Sequence, residues 1–168
     1  MRILTTSSTA STKTLPSPIR PVRAVVMDLD GTTVRSEPFW VWMIERATSS
    51  LLDDPGFHLE EADLPFVSGF SVSEHLEYCI RKYCPGRTVE EARQFYFDHT
   101  HREMAEILDG RGKADAFIPA TGLKGFLLAL KSAGIKIGVV TSGLYEKAWP
   151  ELVAAFRTMG LGDPRAFY

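Results

Sequence analysis

The chain has 168 residues, of which 45% are apolar and 24% are charged, and its formal net charge is -2. This length allows one domain or a core with an inserted subdomain, and the composition is typical of globular proteins. The small net charge excludes a general attraction to nucleic acid or anionic membranes, and no apolar run is long enough to cross a membrane. We therefore expect neither nucleic acid nor a membrane as a partner.

The first part of the chain differs in composition from the rest. Residues 1–23 are rich in Ser and Thr and contain four basic residues but no acidic one. Organelle transit peptides have this composition, although three prolines in the segment oppose a helix. We expect residues 1–21 to form a disordered leader on a cytoplasmic protein, with an organelle transit peptide as the alternative.

Two apolar, β-branched runs predict buried parallel strands. The first covers residues 22–29 and ends in the run Asp28–Leu29–Asp30–Gly31. The second covers residues 135–141 and leads into Thr141–Ser142–Gly143. Continuous apolar runs of this length are typical of strands that are buried on both faces.

A helix is predicted just before the second strand. Thr121 is expected to cap this helix, and Gly134 is expected to end it. The predicted apolar face consists of Leu123, Phe126, Leu127 and Leu130. A helix, a glycine turn and a buried strand in this order indicate the second half of a βαβ unit.

About a hundred residues separate the two strands, although a crossover needs only a dozen or more. The surplus, residues 36–118, contains three helical patterns. Ser73 is predicted to cap the second, and Thr88 forms a capping box with Glu91 at the start of the third. The predicted apolar positions of the three helices are Phe39, Trp40, Met43, Ile44 and Ala47, then Leu76 and Ile80, then Phe95, Met104 and Leu108.

The fold class predicted from these elements is α/β. A partial, Rossmann-like parallel sheet forms the core, from residues 22–35 and 119–168, and residues 36–118 form an inserted α-helical cap. Ligands of parallel α/β sheets bind beyond the carboxyl ends of the strands. The insertion leaves the sheet at that edge, so it is positioned as a lid.

Asp28 and Asp30 lie two residues apart at the end of the first strand, so their side chains start on the same side of the chain. Gly31 permits the sharp turn that follows. Mg²⁺ prefers oxygen ligands and is often held by one or two carboxylates with a substrate phosphate. We therefore expect Asp28 to attack phosphorus beside a bound Mg²⁺, and Asp30 to serve as acid and base.

The second strand ends in groups that suit a phosphate. The Thr141 hydroxyl is placed to donate a hydrogen bond to a phosphoryl oxygen, and the amides of Ser142 and Gly143 precede a helix. Other interpretations of the Asp–x–Asp–Gly run are a surface turn or a calcium loop. A calcium loop needs further oxygen ligands at alternate positions.

The run Asp28–Leu29–Asp30–Gly31–Thr32–Thr33 closely resembles motif I of the haloacid dehalogenase-like (HAD) superfamily, and residues 139–143 resemble its motif II. The insertion is similar to the type 1 cap of that superfamily. The resemblance implies that Asp28 is the nucleophile, Asp30 the acid/base and Thr141 the phosphate-binding hydroxyl. It also implies Mg²⁺ as the cofactor, held by the Asp28 carboxylate and the Asp30 backbone carbonyl. Many members have Leu where this chain has Thr33.

The resemblance further implies a Lys or Arg near a later strand and acidic metal ligands beyond it. Lys113, Lys124 and Lys136 precede motif II, and the sequence ends at Tyr168. We therefore expect the chain to be a fragment of a longer protein, a partial gene model or an early-terminated product, with impaired activity and poor folding on its own.

The segment Gly69–Phe70–Ser71–Val72–Ser73 resembles the cap loop that contacts substrates in this superfamily. Substrate contacts from Gly69 and Ser71 are one interpretation, and a plain helix N-terminus is the other. The function expected from the whole sequence is hydrolysis of a small phosphorylated metabolite through an aspartyl-phosphate. A phosphomutase of the β-phosphoglucomutase kind and a catalytically inactive binding module are the alternatives.

Overall fold

The computed structural model describes residues 21–168, so the predicted leader lies outside the described part except for its last residue. The described elements, in chain order, are β1 (Ala24–Asp28), β2 (Val34–Arg35), α1 (Glu37–Leu52), α2 (Val72–Tyr83), α3 (Val89–Leu108), β3 (Ile118–Pro119), α4 (Leu123–Ser132), β4 (Lys136–Val140) and α5 (Tyr145–Met159). Short 3₁₀ helices occur at Glu61–Phe66, Ala114–Ala116 and Pro164–Ala166. The protein is an α/β fold with a Rossmann-like core and a helical cap, as predicted.

The two predicted core strands pair in parallel. Their register runs from Ala24 opposite Lys136 to Asp28 opposite Val140. β1 begins at Ala24 and not at the predicted Val22, because the ladder opens with the bond from the Lys136 amide to the carbonyl of Arg23. The carboxyl ends of the strands, where the polar residues follow, therefore meet at one edge.

Helix α4 covers one face of this sheet with Leu123, Leu127 and Leu130, which are all buried. The prediction for Phe126 is wrong, since its side chain is 47% exposed. Three leucines suffice to cover a sheet of two strands, and Phe126 lies at the border of their stripe. The predicted cap is also wrong: the N-cap residue is Gly122, and no side chain among the described residues caps the helix.

The other face of the sheet is open within residues 21–168. Val26 on β1 is 66% exposed and Val140 on β4 is 61% exposed. The poor folding that we expect from such exposure stays a prediction.

A second, antiparallel ribbon joins β2 to β3, with Val34 opposite Pro119 and Arg35 opposite Ile118. Strands of two residues are too short to show a periodicity, so the sequence did not predict them. The ribbon lies where the chain leaves the core and where it returns. It therefore ties together the two connections between the core and the helical cap.

The cap consists of α1, α2 and α3, which pack against one another. Most predicted core positions are buried: Phe39, Met43, Ile44, Ala47, Leu76, Ile80 and Met104. Phe95 and Leu108 were predicted to be buried but are each 38% exposed. The buried stripe of α3 passes beside them, through Ala92, Tyr96, Thr100, Met104 and Ile107.

The capping prediction is correct for α3 and wrong for α2. Thr88 caps α3: its hydroxyl accepts the Glu91 amide at 3.2 Å, and the Glu91 carboxylate accepts the Thr88 amide at 2.8 Å. Helix α2 is capped by Ser71 and not by Ser73. Ser71 is also followed by an acidic residue three positions on, Glu74, which is the pattern of a capping box.

The Thr88 cap provides a test of the cap subdomain's stability. We expect Thr88→Ala to lower the free energy of unfolding by about 1 kcal/mol, because the Glu91 amide loses its acceptor. Thr88→Ser keeps the hydroxyl and is the matched control. Urea denaturation followed by circular dichroism measures both, and equal stability of the two variants would contradict the assigned cap.

No helix within residues 21–168 combines the length and the apolar character that spanning a membrane requires.

Candidate active site

A tight turn follows β1 and sets the positions of both aspartates. The carbonyl of Leu29 accepts hydrogen bonds from the amides of Thr32, Thr33 and Val34. Gly31 has φ +73°, a left-handed conformation that glycine adopts without steric cost. Leu29 is fully buried, whereas Asp28 and Asp30 on either side of it are exposed at the edge of the sheet.

Two threonines of this turn hold Asp28. The Thr32 hydroxyl donates to Oδ2 of Asp28 at 3.0 Å, and the Thr33 hydroxyl donates to its backbone carbonyl at 2.5 Å. No residue in the described range donates to the other carboxylate oxygen, Oδ1. The Asp28 side chain is thus oriented through one oxygen and open at the other.

The carboxylate of Asp30 joins the core to the cap. Its Oδ1 accepts the Ser36 hydroxyl at 2.6 Å and the Trp40 indole N–H at 3.1 Å. Trp40 lies near the start of α1, the first helix of the cap, and Ser36 is the N-cap residue of that helix. The Thr141 hydroxyl, at the end of β4, lies 3.4 Å from Oδ2 of Asp30. The structure therefore brings Thr141, at the end of β4, next to Asp30 on the turn that follows Asp28.

The residues after β4 form a second turn at the same edge. The Gly143 amide donates to the Thr141 hydroxyl at 2.9 Å, and α5 begins at Tyr145. Ser142 and Gly143 lie next to Asp30 in the lining of a cavity. The roles assigned to these residues from the sequence stay predictions, but their shared location is observed.

The cavity has a volume of about 420 Å³ and lies between the sheet edge and the cap. Asp30, Ser142 and Gly143 form its floor. The cap contributes apolar and aromatic side chains, among them Trp40, Phe70 and Tyr96. The cap therefore covers part of the space beyond Asp30, in the place predicted for a lid.

The cap loop contributes Gly69 but not Ser71 to the lining of the cavity. Gly69 lines it, together with Ser68 and Phe70. Ser71 does not line it, and its hydroxyl donates to the Glu74 carboxylate at 2.6 Å as part of the α2 cap.

Glu151 on α5 is a site residue that the sequence did not reveal. Its side chain is 1% exposed and packs beside Asp30 and Ser36. Burial raises the pKa of the Glu151 carboxyl to about 9, and the negative charge of Asp30 adds to the shift. Within the described residues, its Oε1 has no hydrogen-bond partner. Glu151 therefore stays protonated at neutral pH.

Lys147, one turn earlier on α5, was also missed. Its ammonium group donates to the Tyr96 hydroxyl at 3.0 Å and lies 4.7 Å from the ring centroids of Trp40 and Tyr96. Burial lowers the pKa of Lys147, and the charge of Asp30 opposes this shift. Lys147 and Glu151 lie four residues apart on the helix that follows Thr141, so they are neighbours on one face of it. This spacing is the signal from which both residues could have been predicted.

The residues present are compatible with Mg²⁺ at the predicted position. Residues 21–168 contain no group of three or more acidic, His or Cys side chains that would hold a metal by itself. Mg²⁺ does not require such a group, because one or two carboxylates, waters and a substrate phosphate satisfy it. The Asp28 carboxylate and the backbone carbonyl of Asp30 supply the oxygens that would hold the ion.

Comparison with known proteins identifies a family. The profile described as "Haloacid dehalogenase-like hydrolase" matches residues 25–156, which is most of the chain. A search of curated proteins finds no match.

Solved structures share the fold at low sequence identity. CbbY from Rhodobacter sphaeroides, in complex with phosphate, superposes with a TM-score of 0.55 at 18% identity, over 88% of this chain and 61% of that one. A subfamily IA HAD-superfamily hydrolase from Geobacter sulfurreducens gives 0.60 at 18% identity, over 88% and 60%. A predicted phosphoglycolate phosphatase from Haemophilus somnus gives 0.59 at 19% identity, over 84% and 60%. The chain thus spans about three-fifths of the length of these proteins.

Proposed function

The chain belongs to the haloacid dehalogenase-like hydrolase family, and from that premise we propose that it hydrolyses a small phosphate monoester with Mg²⁺ through an aspartyl-phosphate. One observation carries the proposal: Asp30, two residues after Asp28, lies 3.4 Å from the Thr141 hydroxyl and lines the floor of the cavity beneath the cap. One of the solved structures is described as CbbY in complex with phosphate, and another as a predicted phosphoglycolate phosphatase. Both descriptions support phosphate chemistry.

In the proposed reaction, Asp28 is the nucleophile. The Thr32 hydroxyl holds Oδ2, and this leaves Oδ1 as the oxygen that attacks phosphorus. Bound Mg²⁺ would screen the repulsion between this carboxylate and the phosphate dianion. The Thr141 hydroxyl would donate a hydrogen bond to a phosphoryl oxygen as negative charge develops there.

Asp30 supplies the proton for the leaving alcohol and later removes one from the attacking water. Ser36 and Trp40 both donate to Oδ1 of Asp30, so Oδ2 is the oxygen available to carry the proton. Oδ2 is also the oxygen that lies near Thr141. A proton transferred through Oδ2 would therefore pass next to the proposed position of the phosphoryl group.

The size and lining of the cavity support a small substrate. About 420 Å³ is within the range of small-molecule sites, which is about 300–1,000 Å³. The apolar side chains from the cap would exclude water while the phosphoryl group is transferred.

The first test of this proposal is metal-dependent hydrolysis of para-nitrophenyl phosphate. We expect the purified protein to release nitrophenol slowly in the presence of Mg²⁺, in line with the impaired activity predicted from the sequence. The release should stop when EDTA removes the metal and return when Mg²⁺ is restored. Release that EDTA leaves unchanged would contradict the proposed role of Mg²⁺. Tight binding of phosphate esters without any release would favour the binding-module alternative.

A further inference from the structure

We propose that Lys147 determines substrate specificity by binding an anionic group on the alcohol portion of the substrate. This inference rests on the proposed function, because it concerns the substrate of the same cavity. Such a role for Lys147 would restrict the substrates to phosphate esters whose alcohol carries a second acid, such as a carboxylate.

The lining of the cavity separates the two ends of the substrate. Asp30, Ser142 and Gly143 form the floor, whereas Asp28 and Thr141 are not part of the lining. The phosphoryl group, attacked by Asp28, therefore belongs at the edge of the floor. The cavity above the floor is left for the alcohol, and the Lys147 side chain lines this space.

The ammonium group of Lys147 is half-buried and incompletely satisfied. It carries three N–H donors, and its only hydrogen bond to the described part of the chain goes to the Tyr96 hydroxyl. No carboxylate within residues 21–168 lies in ion-pair distance of it. The aromatic rings attract the charge but accept no full hydrogen bond. Burial of a charge with so few acceptors is costly, and an anionic ligand would supply the missing ones.

Lys147 is the only cationic side chain that lines this cavity in the described structure. The other basic residue of the lining is His75, whose Nε2 accepts the Phe70 amide at 3.1 Å. A ring nitrogen that accepts a hydrogen bond carries no proton, so His75 is neutral. Burial also lowers the pKa of His75. Lys147 is therefore the one cationic group that this lining offers to an acid on the alcohol.

The cap holds Lys147 ready for this role. Tyr96 is almost fully buried in α3, and Trp40 is fixed by its bond to Asp30. Together they hold the ammonium at one position above the floor before any substrate is present. Preorganisation of this kind increases affinity, because less side-chain freedom is lost on binding.

The test compares two esters that differ in one acid: 3-phosphonooxypropionate and propyl phosphate. We expect the protein to prefer the carboxylated ester in kcat/KM. Lys147→Gln should lower kcat/KM for this ester by about tenfold to a hundredfold, the usual effect of losing a hydrogen bond to a charged group. The kcat/KM of Lys147→Gln for propyl phosphate should change little. Lys147→Arg keeps the charge and should keep most of the preference.

Equal losses for both esters in Lys147→Gln, or no loss for either, would overturn the inference. The first result would mean that Lys147 acts on the phosphoryl group or on cap closure, and the second that its charge is not used.

A binding measurement separates this inference from the proposed hydrolysis. Calorimetry with 4-phosphonobutyrate and butylphosphonate, the non-hydrolysable counterparts of the two esters, requires no turnover. We expect tighter binding of 4-phosphonobutyrate by the unmodified protein and loss of that preference in Lys147→Gln. Unchanged butylphosphonate binding would show that the variant is folded. If neither ester is hydrolysed but the preference is present and lost with Lys147, only the proposed function fails. Equal binding of the two phosphonates by the unmodified protein would overturn the inference.

Discussion

Asp28→Asn is expected to lower the rate of phosphate ester hydrolysis on the order of 10⁴-fold or more, as removal of a catalytic nucleophile generally does. An amide has the shape of the carboxylate but cannot form an acyl-phosphate. The substituted side chain can still accept the Thr32 hydroxyl through its carbonyl oxygen, so the turn after β1 should keep its shape. Initial rates with Mg²⁺ and para-nitrophenyl phosphate measure the effect.

Asp115→Asn is the matched control for this variant. Asp115 is exposed in the 3₁₀ helix Ala114–Ala116 and is not part of the cavity lining. The control removes the same charge, and its rate should equal that of the unmodified protein. A rate for Asp28→Asn that is comparable with the control would rule out Asp28 as the nucleophile.

Glu151→Gln is expected to stabilise the folded protein, and to do so more strongly at higher pH. The ordinary pKa of this carboxyl is 4.5, and in the folded protein it is raised to about 9. Between these two values the folded state holds a proton that the unfolded state has released. Stability therefore falls as pH rises through this window, and it is retained fully only below about pH 4.5. Glutamine does not titrate, so the variant escapes this loss.

The expected gain for Glu151→Gln is about 3 kcal/mol near pH 7, and close to zero near pH 4.5. Urea denaturation at a series of pH values from about 5 to about 9 measures it. Glu77→Gln is the matched control, because Glu77 is exposed on α2 and should give a difference that does not change with pH. A gain for Glu151→Gln that is the same at every pH would contradict a buried, protonated carboxyl.

The sequence was sufficient to predict the parts of the site that depend on local pattern. The two strands are apolar runs, and polar residues follow each of them, so the meeting of Asp30 and Thr141 follows from parallel pairing. The capping box at Thr88 needs only the spacing of two residues. These features are confirmed because each is fixed by chain neighbours or by a general rule of sheet geometry.

The groups around Asp30 could not be predicted in the same way. Ser36 and Trp40 reach it from the first helix of the cap, and Glu151 reaches it from the last long helix. The contacts of Ser36 and Trp40 depend on the angle at which the cap sits on the core, and the contact of Glu151 depends on how α5 packs beside the sheet. A single sequence specifies neither. Phe126 illustrates the related difficulty on α4: its periodicity suits burial, but the sheet of two strands is too narrow to cover it.

Thr33 shows how a departure from a familiar motif becomes understandable in the structure. Many family members have Leu at this position, and the Thr33 side chain is only 2% exposed. Its hydroxyl finds a partner in the Asp28 carbonyl, so a buried polar group is satisfied. The substitution therefore adds a hydrogen bond to the backbone of the proposed nucleophile.

The most direct test of the central claim is chemical trapping of the phosphoryl group on Asp28. The protein is mixed with Mg²⁺ and a phosphate ester, quenched in acid during turnover, and treated with borohydride, which reduces an acyl-phosphate to an alcohol. Peptide mass spectrometry should then find homoserine at position 28 and unmodified aspartate at position 30. Homoserine at position 30, or turnover that leaves both aspartates unmodified, would contradict Asp28 as the residue that receives the phosphoryl group.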